Sequence, residues 1–88
     1  MTWKIKFDDA AAKELRKLDR KAQQEILRYF RERIATNEDP RRFGKPLSRD
    51  MTGLWRYRVH NYRIICQIED GRLVVLVLRV GHRKNVYE

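Results

Sequence analysis

Residues 54–80 read Leu54-Trp55-Arg56-Tyr57-Arg58-Val59-His60-Asn61-Tyr62-Arg63-Ile64-Ile65-Cys66-Gln67-Ile68-Glu69-Asp70-Gly71-Arg72-Leu73-Val74-Val75-Leu76-Val77-Leu78-Arg79-Val80. Three strand-like runs are separated by two short turn signals. Asp70-Gly71 between apolar runs is a strong two-residue hairpin signal, because a type I′ turn needs φ > 0 at both positions. His60-Asn61 is a weaker one, since Asn tolerates that conformation at low cost. If both are two-residue loops, Val59 pairs with Tyr62, Arg58 with Arg63, Tyr57 with Ile64, Arg56 with Ile65 and Trp55 with Cys66. Side chains alternate along a strand and directly paired residues share a face. One face then carries Trp55, Tyr57, Val59, Tyr62, Ile64 and Cys66, and the other carries Arg56, Arg58 and Arg63. Carried through Asp70-Gly71, the same register sets Arg63 against Leu78, Ile65 against Leu76, and Arg79 on the Tyr62 face. Arg58 and Arg63 fall directly opposite each other, an arrangement that destabilises a sheet. Three guanidiniums gathered this way are either a solvated surface or a grip for something anionic.

Composition narrows the partner. The chain has 88 residues and a formal net charge of +9, with 38% charged residues. At this length one domain, residues 1–88, with a single modest core is expected. The positive excess points to a polyanion, either nucleic acid or an acidic protein. No helix pairs a basic face with a large apolar one, so a membrane surface is not the expected partner. Cys66 is the single cysteine, which precludes an internal disulfide and a multi-cysteine metal site. No metal or cofactor is expected, and a reduced, cytoplasmic setting fits.

The rest of the chain reads as a frame for those strands. Trp3, Ile5 and Phe7 alternate with Lys4 and Lys6, the pattern of a short half-buried strand. Asp8 or Asp9 offers an N-cap for a first helix running to about Leu18, with Ala11, Ala12, Leu15 and Leu18 on its buried stripe. Asp19 offers a second cap, after which Ala22, Ile26, Phe30 and Ile34 recur at helical spacing. The short junction predicts an antiparallel helical hairpin. Residues 37–53 read as a loop, because Pro40, Gly44, Pro46 and Gly53 fall there and Pro46 argues against a central strand. That loop carries Arg41, Arg42 and Lys45, candidate phosphate contacts, with Leu47 expected in the core. Cys66 reads as a small buried hydrophobe, and His60 as a turn residue. The fold class expected is α+β: an N-terminal strand, a helical hairpin, then a three-stranded antiparallel meander, in one sheet with helices on one face.

Several of these stretches together resemble the RelE/ParE toxin superfamily, and its RelE branch in particular. They are Gly44-Lys45-Pro46-Leu47, Gly53-Leu54-Trp55-Arg56-Tyr57-Arg58-Val59, Tyr62-Arg63-Ile64-Ile65 and Val80-Gly81-His82-Arg83-Lys84-Asn85-Val86-Tyr87. The resemblance implies a metal-independent endoribonuclease that cuts mRNA in the ribosomal A site. It also implies a cognate acidic antitoxin in a toxin–antitoxin hetero-oligomer. By resemblance, Arg56, Arg58 and Arg63 match the family's basic strand positions, Arg83 its arginine after the Gly-His turn, and Tyr87 its C-terminal tyrosine. Tyr87 would be general base or a donor that orients the 2′-OH, Arg83 would serve the leaving oxygen, and Lys84 would touch RNA. His82 is a lesser candidate as proton carrier. Some relatives have lysines where this chain has Arg56 and Arg58. Arginine effectively never loses its proton, so here those positions serve only to stabilise charge. Two alternatives stand beside this: a ParE-type toxin acting on DNA gyrase without nuclease chemistry, and a degenerate nucleic-acid-binding module.

Overall fold

The computed structural model describes residues 1–47 and 53–82. Strand β1 (Lys4–Phe7) leads into helices α1 (Asp9–Arg16) and α2 (Arg20–Tyr29). A short strand β2 (Lys45–Pro46) follows, then β3 (Leu54–Val59), β4 (Tyr62–Glu69) and β5 (Val74–His82). The five strands form one sheet in the order β1-β5-β4-β3-β2. The first strand pairs parallel with the last, Lys4 opposite Val74 through Phe7 opposite Val77. The expected α+β architecture is present.

The helices form where the sequence supplies caps. Asp8 Oδ1 accepts from the Ala11 N–H at 2.8 Å, and Asp19 Oδ1 accepts from the Ala22 N–H at 2.7 Å. Each satisfies one of the amides that a helix start leaves without a partner. At the hairpin's turn the Gln23 side chain donates to the Leu18 carbonyl at 2.8 Å. The last turn of α2 widens over Phe30–Ile34, where the Ala35 N–H reaches back to the Phe30 carbonyl at 2.7 Å. Helix α1 lies over β5 and α2 over β3. Between helices and sheet sits a core in which Ile26, Phe30, Ile34, Tyr57, Ile64, Cys66, Val75 and Val77 are fully buried. The rings of Phe30 and Tyr57 meet edge to face, with centroids 5.4 Å apart.

The β3–β4 hairpin has the register read from the sequence: Val59 opposite Tyr62, Arg58 opposite Arg63, Tyr57 opposite Ile64, Arg56 opposite Ile65 and Trp55 opposite Cys66. His60, and not Asn61 as expected, takes the left-handed conformation at the turn, with φ at 53°. It is also more than a turn residue, since its Nε2 lies 3.1 Å from Glu25 Oε2 on α2.

The β4–β5 connection departs from expectation. Asp70–Arg72 form a 3-10 turn and Leu73 takes the left-handed conformation with φ at 52°. The loop is therefore four residues long, and Glu69 pairs with Val74. A bulge between Ile65 and Cys66 shifts the ladder once more, so Ile65 faces Arg79 and Arg63 faces Gly81. Arg63 thus meets Gly81 instead of Leu78, and Ile65 meets Arg79 instead of Leu76. Arg79 binds Glu14 on α1 at 3.1 Å, and Glu14 Oε1 also accepts from the Val80 N–H at 2.8 Å.

The segment expected to be loop is more ordered than its composition suggested. Pro40–Phe43 make a 3-10 turn capped by Asp39, and Lys45–Pro46 pair with Trp55–Arg56 at the sheet's edge. An edge is where a proline is tolerated, because the missing N–H faces away from the ladder. Leu47 is only half buried, its N–H donating to the Leu54 carbonyl. Residues 48–52 of that segment lie outside the described residues. Among the described residues no helix is long and apolar enough to cross a membrane.

Candidate functional site

The helices cover one face of the sheet, and the arginines stand on the other. Tyr57, Val59, Ile64 and Cys66 point into the core, so their neighbours Arg56, Arg58 and Arg63 project from the outer face by alternation. Arg58 is exposed, while Arg56 and Arg63 are half buried. The one-to-one pairing of Arg58 with Arg63 sets their Cα atoms about 4.5–5.5 Å apart. Arg56 is two residues from Arg58, roughly 7 Å along the strand. On its other side Arg63 meets Gly81, which contributes no side chain to that face.

Arg56 and Arg58, with Lys45 from the edge strand and Phe43, line a shallow pocket of about 120 Å³. Three cationic side chains meet there, and its described lining residues include no carboxylate. Of the loop cations expected to touch phosphate, Lys45 is therefore brought to the arginine face. Arg42 is exposed and pairs with Glu38 at 2.8 Å, its guanidinium 4.7 Å from the Phe43 ring centroid. Arg41 has another task. Its two terminal nitrogens donate to the Asp70 carboxylate at 3.1 and 2.6 Å, one of them also reaches Asp39 at 3.2 Å, and its guanidinium lies 5.7 Å from the Trp55 ring centroid. The hydrogen bond from Arg41 holds the Asp70 carboxyl below the usual carboxylate range. This fork braces the Pro40–Phe43 turn against the β4–β5 turn.

At the far end of the sheet His82 pairs with Tyr62, with ring centroids 5.9 Å apart and nearly perpendicular planes. His82 also borders a cavity of about 230 Å³ that Glu14, Lys17 and Arg79 help to line. Arg83, Lys84 and Tyr87 lie outside the described residues. Cys66 is fully buried, and burial pushes its thiol well above the ordinary range. It packs as a small hydrophobe, and as a neutral thiol it is a poor nucleophile.

Phe43 was passed over in the sequence. The signal was there in Arg41-Arg42-Phe43-Gly44-Lys45, an aromatic residue set among four polar or flexible neighbours, three of them basic.

Comparison with known proteins agrees with this architecture. Residues 5–87 match the family model described as ParE toxin of type II toxin-antitoxin system, parDE. The chain is 30% identical over 87 residues to Toxin RelG of Mycobacterium tuberculosis, covering 99% of this chain and 98% of that one. Its fold superposes on the RelBE2 toxin–antitoxin complex of the same organism with a TM-score of 0.84 at 28% identity, covering 97% of this chain and 95% of that one. The isolated Escherichia coli RelE toxin superposes with a TM-score of 0.72 at 26% identity, covering 91% and 83%. A helical hairpin laid across five strands, with basic residues on the face opposite the helices, is therefore this protein's version of a shared design, and the chain belongs to the RelE/ParE superfamily of type II toxin–antitoxin toxins.

Proposed function

We propose that this toxin is a ribosome-dependent endoribonuclease that cleaves mRNA in the A site and is restrained by an acidic antitoxin. The observation that carries the reading is the direct pairing of Arg58 with Arg63, flanked by Arg56 on the same face, the one opposite the helices. That like-charge pair costs stability, and a phosphodiester placed over it turns the cost into binding.

Cleavage proceeds by attack of the ribose 2′-OH on the adjacent phosphorus. The 2′ oxygen–phosphorus bond forms, the bond from phosphorus to the 5′ oxygen breaks, and the products are a 2′,3′-cyclic phosphate and a 5′-hydroxyl. The step needs in-line geometry, removal of the 2′ proton, stabilisation of charge on phosphorus and a proton for the 5′ oxygen. Arg56, Arg58 and Arg63 supply planar donors suited to phosphate oxygens and to the extra transition-state charge. Tyr87 takes the 2′ proton or orients the 2′-OH. Arg83 donates toward the leaving oxygen, with His82 as a subsidiary proton carrier. These last three roles rest on the family resemblance. Since arginine holds its proton, the proton work falls on few groups, and activity on free RNA should be weak. The ribosome then supplies substrate orientation.

Relatives solved as RelBE toxin–antitoxin complexes support an antitoxin partner here, and the +9 charge favours an acidic segment that orders on binding. The test is primer extension on mRNA in a translating extract, comparing wild type with Arg83→Ala and Tyr87→Phe. Loss of codon-sized cleavage steps in both variants is expected, and unchanged cleavage in both would remove these assignments. The name of the matching family model keeps a gyrase-directed reading in play. Gyrase-dependent DNA breaks with intact mRNA would establish that reading instead.

A further inference from the structure

We propose that Phe43 is a nucleobase-stacking platform at the rim of the arginine pocket, so that one nucleotide is held by its phosphate on Arg56 and Arg58 and by a base on the Phe43 ring. The inference rests on the phosphate-gripping reading of the arginine face and adds a base contact to it.

Four observations support it. Phe43 is 40% exposed, the one exposed aromatic residue among the described residues. Its ring lines the same pocket as Lys45, Arg56 and Arg58. Arg42 and Arg33 lie over the ring at 4.7 and 5.7 Å from its centroid, and guanidinium planes stack on bases as aromatic rings do.

The fourth observation is rigidity. The turn that presents Phe43 is fixed at three points. The Tyr57 hydroxyl donates to the Pro40 carbonyl at 2.6 Å. Arg41 is forked onto Asp70. Gly44 lies so close to β3 that a Cβ there would sit 3.1 Å from Tyr57 Cε1 and 3.3 Å from the Arg56 carbonyl oxygen. An exposed ring on so well-anchored a turn is preorganised, which limits the entropy lost when a base settles on it. The surrounding cations favour a polyanion over a neutral protein patch.

The test is fluorescence anisotropy with two labelled hexamers that the toxin cannot cleave, oligo(dA) and a matched chain of abasic deoxyribose phosphates. Phe43→Leu is expected to weaken oligo(dA) binding by about five- to a hundredfold, the range for losing one stacked base. Abasic binding and the salt slope should stay the same. Phe43→Trp should retain or strengthen oligo(dA) binding, with its indole quenched by the base, and this holds as the test if Phe43→Leu fails to fold by circular dichroism. Equal losses on both hexamers, or none on either, overturn the proposal. Loss of antitoxin binding alone would instead assign Phe43 to a protein interface and also overturn it. Arg56→Ala and Arg58→Ala report separately on the phosphate grip, since they should weaken both hexamers in parallel and flatten the salt slope.

Discussion

Replacing Arg58 with glutamine should make the free protein more stable and a poorer binder of nucleic acid. Arg58 stands directly opposite Arg63, and opposed like charges cost about 0.2–1 kcal/mol. Coulomb's law gives a similar figure. Two unit charges roughly 7 Å apart repel by about 0.6 kcal/mol in water, and more where protein displaces solvent. Arg58→Gln keeps much of the side chain's length and hydrogen bonding while removing the charge. A gain of about 0.5 kcal/mol should raise the melting temperature by roughly 2–4 °C for a domain of this size. Salt must matter. The Debye length falls from about 30 Å at 0.01 M to 3 Å at 1 M, so the gain should be largest in low salt and nearly vanish at 1 M. In a double-mutant cycle with Arg63→Gln, the double variant should be less stable than the two single effects summed, because the second substitution has no repulsion left to relieve. In the same preparations, single-stranded oligonucleotide affinity should fall for Arg58→Gln and its log–log salt slope should shrink by about 0.7 per lost phosphate contact. A variant that melts lower than wild type in low salt, or that binds with an unaltered slope, would refute the reasoning.

Three further outcomes follow from the geometry. Tyr57→Phe removes the buried hydroxyl's bond to the Pro40 carbonyl and should lower stability by about 0.5–1.5 kcal/mol, read as a shifted denaturant midpoint. Asp70 has its folded pKa lowered by Arg41, so its contribution is present above the unfolded carboxylate value near 3.9 and is lost as pH falls through the folded value. Asp70→Asn removes that dependence, and the stability difference between wild type and variant should shrink as pH drops below about 4. Cys66 has its pKa raised by burial; its contribution is complete below the unfolded thiol value near 8.5 and is lost as pH rises above it. Native protein should accordingly react with Ellman's reagent far more slowly than urea-unfolded protein, and Cys66→Ala should flatten the alkaline limb of the stability curve.

The β3–β4 hairpin was legible because its turn is two residues and its faces differ sharply: Tyr57, Val59 and Ile64 inside, Arg56, Arg58 and Arg63 outside. One residue of slip would have put arginines in the core. The β4–β5 hairpin had no such safeguard. A four-residue loop in place of a two-residue one slips the ladder by two, which leaves every side chain on its own face, and β5 is apolar on both sides. Leu73 at positive φ carries no sequence signature, and neither does the bulge at Ile65/Cys66. The consequence for the site is that Arg63 meets Gly81 and not Leu78. The parallel pairing of β1 with β5 joins segments some seventy residues apart, and local pattern does not encode it. The pairing of Arg41 with Asp70 was not legible locally, because the carboxylate lies 29 residues away. The caps at Asp8 and Asp19 were readable because capping is local chemistry.

The central claim is that the guanidiniums on the sheet face opposite the helices stabilise a phosphodiester as it is cut. The most direct measurement is the rate of A-site mRNA cleavage by purified Arg63→Gln in a translating extract, at toxin concentrations where wild type cuts to completion. Loss of one charge-stabilising donor should slow cleavage by about a hundredfold or more, with the variant folded as wild type by circular dichroism. Cleavage at the wild-type rate by this folded variant would contradict the claim.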